Sequence, residues 1–231
     1  MDNIISAATI DWEWVRSHLS ARERIEKIGT GSTKGSVLEH LKEALQIARV
    51  KAAPRIYSVK KEILNFKPGS FQIEGDMIFS GKELSKHIKG ATHICAFLVT
   101  VGKEIEEAAS SYMHLGDHLL GYLLDRAGSF AVESMAKNTE DSLRRALLTE
   151  GLSVSMRFSP GYCDWPIEEQ FKLAQIIDFG KAGVRLSENC MMIPKKSISA
   201  VAGVGPKELF SEIKSPCSHC NMKVCGHRRN S

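Results

Sequence analysis

From Asp117 to Leu148 the residues Leu120, Leu123, Leu124, Ala127, Ala131, Met135 and Leu143 recur at helical spacing, which predicts one long helix or two abutting ones. Gly121 and Gly128 lie inside that stretch, and each weakens an isolated helix by about 1 kcal/mol relative to alanine. Glycines in such positions mark close packing against a neighbour or a ligand. On both sides of this helical middle the period changes. Upstream, Ser36 to Lys51 reads as an amphipathic helix on Val37, Leu38, Leu41, Leu45 and Ala48, capped by Ser36 and stopped before Pro54. Ile56 to Leu64 and Ser70 to Phe79 favour strands joined by a Lys67-Pro68-Gly69 turn, and a short helix from Lys82 to Ile88 follows. THICAFLVTVG, Thr92 to Gly102, is continuous and apolar, as a buried strand is. Downstream of Gly151 come a strand from Leu152 to Phe158, a helix from Ile167 to Phe179, and strands from Arg185 to Ile193 and Ser197 to Val204. Strands before and after a helical middle imply an α+β fold with a mainly antiparallel or mixed sheet packed with helices. Residues 1–213 read as one unit and 214–231 as a basic, cysteine-rich tail.

A composition of 43% hydrophobic and 25% charged residues belongs to a folded chain. The longest apolar run, Ile94 to Val101, falls far short of the roughly 20 residues that cross a bilayer. The N-terminus lacks the basic-then-apolar order of a secretory signal, so a cytoplasmic location is expected, with the cysteines as thiols or metal ligands rather than disulfides. The net charge of +4 is concentrated in the tail, where Lys214, Lys223, Arg228 and Arg229 meet no acids. The near-neutral remainder argues against a broad nucleic-acid-binding face, while the tail is left open to an acidic partner.

The stretch RFSPGYCDWP, Arg157 to Pro166, suits neither helix nor strand. A guanidinium is a planar, permanently charged fork matched to a carboxylate, and a Pro-Gly corner exposes backbone groups to a flat heterocycle. An amino-acid nucleoside offers both partners; the plainer alternative is a surface arginine beside a turn.

Arg157-Phe158-Ser159-Pro160-Gly161-Tyr162, then Leu186-Ser187-Glu188-Asn189, then Pro194-Lys195-Lys196-Ser197-Ile198-Ser199 resemble the activation domain of vitamin B12-dependent methionine synthase. That family carries Arg-x-x-Pro-Gly-Tyr, Leu-Thr-Glu-Ser and Pro-x-x-Ser-x-Ser-Gly in the same order. The likeness is clearest over residues 157–203 and weaker over the Asp125 to Arg145 helix, where Asp125 and Glu133 echo a family Asp and Glu. It implies an S-adenosylmethionine site in which Arg157 contacts the ligand carboxylate, backbone atoms around Pro160, Gly161 and Tyr162 hold the adenine, and Glu133 contributes to the pocket. Glu188, from the second block, joins this cofactor-binding set. Two departures stand out. Cys163 occupies a position where the family usually has proline, and the family tyrosine that contacts the cofactor falls near Ala202.

The chemistry implied by the resemblance is reductive methylation, in which an electron and the methyl group of S-adenosylmethionine return inactive cob(II)alamin to methylcobalamin. No Asp-x-His-x-x-Gly corrinoid motif is present, so a separate corrinoid protein or cobalamin-dependent methyltransferase is the expected partner, with an electron donor such as flavodoxin or ferredoxin. The alternative is a non-catalytic, zinc-tailed adaptor for a corrinoid or nucleic-acid partner. An ordinary S-adenosylmethionine methyltransferase would carry a glycine-rich loop after an early strand, and Leu98 to Gly102 offers a single glycine.

Cys217, Cys220 and Cys225 form C-x2-C-x4-C, a spacing that suits tetrahedral zinc or an iron–sulfur cluster. The fourth ligand would be His227, His219, Cys163 or Cys190; the alternative is an unliganded tail. A cluster there could deliver the electron. The radical S-adenosylmethionine spacing, C-x3-C-x2-C, is absent, and Cys95 reads as a core thiol.

Overall fold

The structure is a computed structural model that describes residues 9–28 and 31–210. The predicted boundary at residues 213 and 214 lies outside them. Two helices lead the chain, α1 (Trp12–Arg22) and α2 (Ser32–Lys51), followed by β1 (Arg55–Lys67), β2 (Ser70–Ile73), β3 (Met77–Ser80), α3 (Lys82–His87) and β4 (His93–Thr100). Then come α4 (Glu104–His114), α5 (His118–Leu148), β5 (Leu152–Val154), α6 (Glu169–Ile176), β6 (Arg185–Leu186), β7 (Met192–Ile193) and β8 (Ser197–Pro206). The expected α+β class holds: the main sheet runs β3-β2-β1-β4-β8-β5, every adjacent pair antiparallel.

The sheet separates two cores. Cys95, Phe97 and Val99 of β4 and Ala200, Ala202 and Val204 of β8 face α1, α2, α4 and α5. Ile94, Ala96, Leu98 and Val201 face the opposite way, onto Phe79, Leu84, Trp165 and Leu173. Strand alternation explains why β4 reads as an unbroken apolar run, since both of its faces are covered.

The apolar stripe between Asp117 and Leu148 is a single helix, started by the Asp117 carboxylate, which accepts the Leu120 N–H at 3.1 Å. Its glycines mark close packing. A Cβ on Gly121 would lie 2.9 Å from the Ala109 carbonyl oxygen, and one on Gly128 would lie 2.9 Å from Ile105 Cγ2. Only the missing side chains let α4 and α5 approach so closely.

Several element boundaries depart from the sequence reading. α2 begins at Ser32, where Gly31 at φ +108° turns the chain into the helix; Ser36 lies inside it and lends its carbonyl to His40 Nδ1 at 2.7 Å. Ser70 to Phe79 is a hairpin rather than one strand, because Gly75 (φ +83°) and Asp76 (φ +58°) reverse the chain. Arg185 to Ile193 likewise folds back on itself as β6 and β7, around Cys190 at φ +60°. The helix expected from Ile167 to Phe179 shortens to α6. The strand expected from Leu152 to Phe158 stops at Val154 and rejoins β8 through a bridge from Phe158 to Val201.

That interruption is a β-bulge. Ser155 N–H donates to the Gly203 carbonyl and Phe158 N–H to the Val201 carbonyl, so three steps along one strand match two along β8. The extra residue reverses the alternation. Met156 and Phe158 both pack into the core on the α6 side, and Arg157 turns to the α5 side.

Candidate functional site

Arg157 is buried, and its guanidinium lies against α5. Nη2 donates to Glu133 Oε2 at 2.8 Å, and Nη1 stands 3.7 Å from Glu140 Oε2. Glu133 and Glu140 are seven residues apart, two turns on one helix face, which lets a single fork reach both. Glu140 is also shared, its Oε1 lying 3.4 Å from Arg144 Nη2.

Two turns nearer the start of α5, the same face carries Asp125 and Ser129. Lys196, just before β8, brings its ammonium to 2.7 Å from Asp125 Oδ1 and 2.9 Å from Ser129 Oγ, with its stem lying over Gly128. Its backbone N–H donates to Glu106 Oε1 of α4 at 2.6 Å. One face of α5 thus offers alternating carboxylates and cations from Asp125 to Arg144, and two of the cations, Arg157 and Lys196, come from beyond the end of α5.

The corner itself is a pair of interlocked turns. Tyr162 N–H donates to the Ser159 carbonyl, Trp165 N–H to the Tyr162 carbonyl, and Gly161 N–H back to the Trp165 carbonyl at 2.8 Å. Gly161 sits at φ +89°, a conformation that favours glycine, and a Cβ there would press on Ile167 Cδ1 at 3.2 Å. Pro160 is buried, while Tyr162 and Cys163 are exposed beside it. Asp164 anchors the far side by accepting the Lys82 and Glu83 N–H groups at the start of α3. Trp165 is buried edge-on against Phe79.

Of the residues picked out in the sequence, Arg157 and Glu133 are brought into direct contact, and Pro160, Gly161 and Tyr162 follow immediately on the same loop. Glu188 lies on the exposed turn between β6 and β7 and takes no part in the Arg157–Glu133–Glu140 group. Ala202 is wholly buried, paired with Cys95 on β4 in the helix-covered core, where no ring could replace its methyl without displacing that packing. Glu140 and Lys196 went unassigned in the sequence. The seven-residue step from Glu133 would have marked Glu140, and Lys196 stands within the third block of the motif.

Cys217, Cys220, Cys225 and His227 lie outside the described residues, as does His219. Cys163 and Cys190, considered as fourth ligands, are described; among the described residues no cluster of three or more His, Cys, Asp or Glu could hold a metal ion. Among those residues, too, no helix is long and apolar enough to cross a membrane.

A family model described as "Vitamin B12 dependent methionine synthase, activation domain" matches residues 81–214. Among solved structures, the crystal structure of the MetH reactivation domain bound to AdoHcy is similar, with 16% sequence identity and a TM-score of 0.64 over 92% of this chain and 80% of that one. At that identity the likeness speaks for the fold. None of the curated proteins matches.

Proposed function

The chain belongs to the vitamin B12-dependent methionine synthase activation-domain family, and from that premise we propose that it binds S-adenosylmethionine and supports reductive methylation of cobalamin carried by a separate corrinoid protein. The observation that carries this reading is the Arg157–Glu133 contact at 2.8 Å beside the Pro160-Gly161-Tyr162 corner. An α-amino acid needs one fixed cation and one fixed anion, and these two side chains supply them beside the Pro160-Gly161-Tyr162 corner.

The bound nucleoside would supply the methyl group, and the partner's cob(II)alamin, with one electron from a donor such as flavodoxin or ferredoxin, would accept it. Nothing in that transfer calls for an acid, base or nucleophile from this chain. Its residues act by holding and orienting: Arg157 takes the ligand carboxylate, Glu133 its ammonium, and the corner the adenine. Glu188, on its exposed turn between β6 and β7, is assigned to the same cofactor-binding set by its place in the Leu186-Ser187-Glu188-Asn189 block. Cys217, Cys220 and Cys225, with His227, are suited to zinc or to a cluster that passes the electron.

The buried Ala202, in place of the family's tyrosine, favours a second reading, an adaptor that recognises a corrinoid partner without turning the cofactor over. Calorimetric titration with S-adenosylmethionine, with S-adenosylhomocysteine as companion, separates the two. Saturable binding of both is expected, and an absence of binding up to millimolar ligand would leave the adaptor.

A further inference from the structure

Val50, in the last turn of α2, and Leu115, which caps α4, are 84% and 82% exposed, the two most exposed large apolar side chains among the described residues. Both line one groove of about 610 Å³ between α2 and α4, floored by the half-buried Ile47, Ala108 and Tyr112. Apolar side chains gathered on one groove mark a contact surface, because covering them removes unfavourable hydration. The groove shares no residue with the Arg157–Glu133–Glu140 group.

The charges around the groove follow from the direction of its two helices. Just past α2, the Ala53 N–H donates to the Val101 carbonyl ahead of α4 at 2.9 Å. At the other end, His40 of α2 comes within 3.9 Å of Asp117, beyond α4. The helices therefore lie side by side and antiparallel. The basic last turn of α2, Arg49 and Lys51, shares one end of the groove with the acidic first turn of α4, Glu104, Glu106 and Glu107. Most of these charges are already engaged. Arg49 faces Glu13, Glu106 accepts the Lys196 N–H, and Glu104 Oε2 is buried. Lys51 and Glu107 stand exposed on opposite walls. Glu107 holds Lys103 at 3.0 Å, an exposed pair one helical turn apart that is given up at little cost.

We propose that this groove is the interface of a symmetric dimer, with a second copy of the chain as its occupant. A two-fold axis running along the groove lays α2 of each copy against α4 of the other and leaves the charged ends together. Lys51 of one copy then meets Glu107 of the other, Val50 covers Ala108 and Tyr112, and Leu115 covers Ile47. Each contact is made twice. One face of the chain thus carries everything that face requires of its partner, which is the condition for an isologous contact. Apolar side chains at the centre with one opposite-charge pair at the rim is also the usual anatomy of a protein interface.

The test is sedimentation velocity on the full chain across roughly 1 to 300 μM, a range that brackets a micromolar dissociation constant. The wild type should sediment as a species of twice the 25.5 kDa chain mass at the upper end. Val50→Glu and Leu115→Glu each set a charge in the covered groove and should raise the dissociation constant at least about thirtyfold. Both positions are exposed in the single chain, so far-UV circular dichroism should be unchanged; should one variant misfold, the other carries the test. Lys51→Glu and Glu107→Lys should each weaken the dimer about fivefold, and the double exchange should restore it to within about twofold. Wild type that stays monomeric throughout would overturn the proposal, whatever else the groove binds. A dimer indifferent to Val50→Glu and Leu115→Glu would place the contact on another face. A double exchange no better than its single variants would overturn the two-fold axis along the groove.

Discussion

The Ser155 hydroxyl accepts the Gly203 N–H at 2.9 Å, standing in for the backbone carbonyl that the bulge takes out of register. This bond patches the ladder at the point where the strand changes parity. Arg157, two residues on, faces α5 because of that change. Ser155→Ala would leave a buried N–H without its acceptor and should lower the unfolding free energy by about 1–3 kcal/mol. Urea unfolding monitored by tryptophan fluorescence reads this directly, and an unchanged midpoint would mean that the bulge holds without the hydroxyl.

Arg157 should matter to the fold as well as to any ligand. Replacing it with alanine strips the guanidinium from Glu133 and Glu140 together, in surroundings where the arginine side chain is only 5% exposed. A loss of about 3 kcal/mol is expected for Arg157→Ala, and a smaller one, about 1 kcal/mol, for Glu133→Gln, whose side chain is 32% exposed. Thermal melts of the two variants should fall in that order. Ligand titrations on Arg157→Ala belong well below its melting midpoint, where a loss of affinity reports the site and not unfolding.

The two kinds of glycine in the helices make opposite predictions. Gly35 in the first turn of α2 has nothing within 4 Å of the place an added methyl would take, so Gly35→Ala should stabilise by about 0.5–1 kcal/mol through helix propensity alone. A methyl at Gly121 meets the Ala109 carbonyl oxygen at 2.9 Å and the Met113 nitrogen at 3.0 Å, both backbone atoms that cannot yield without parting α4 from α5. Gly121→Ala should therefore destabilise by about 1–3 kcal/mol despite the better propensity. Equal melting temperatures for the pair would contradict the close helix crossing.

Much of this architecture was legible because it rests on repeating patterns. The stripe from Leu120 to Leu143 and the run from Ile94 to Val101 name the two elements that form the centre, and Asp117 marks where the long helix starts. The Arg157 corner was legible as a motif, since proline and glycine limit the chain locally. Features that depend on partners distant in sequence were hidden. Nothing about Ser155 or Met156 announces a bulge, which exists only in relation to Gly203 and Val201. The hairpin at Gly75 and Asp76 was within reach, because adjacent turn formers between apolar runs carry a local signal. Glu140 was passed over although its seven-residue step from Glu133 was visible, because a glutamate on a helix reads as solvated until the arginine that covers it is placed.

Cys95 gives a prediction whose sign follows from burial. Desolvation within the helix-covered core pushes its thiol from 9.0 up to about 12, with nearby Lys60 opposing weakly. In the unfolded chain the thiol ionises near its ordinary value. Below that value Cys95 adds nothing to the pH dependence; above it the unfolded state sheds a proton that the folded state retains, and stability drains as the pH climbs toward the folded pKa. The slope from this group is about 1.4 kcal/mol per pH unit. Lysines and tyrosines titrate in the same range, so the measurement is the difference in unfolding free energy between wild type and Cys95→Ala, in which their contributions cancel. At neutral pH the wild type should be the more stable, because alanine removes a packed sulfur from a core residue with no exposure. Between pH 9 and 10 that advantage should narrow by roughly 1 kcal/mol. A constant difference would mean that the thiolate is tolerated in the folded core. Alkylation offers an independent check at pH 8, where exposed Cys163 should react with iodoacetamide in the native protein and Cys95 only after denaturant is added.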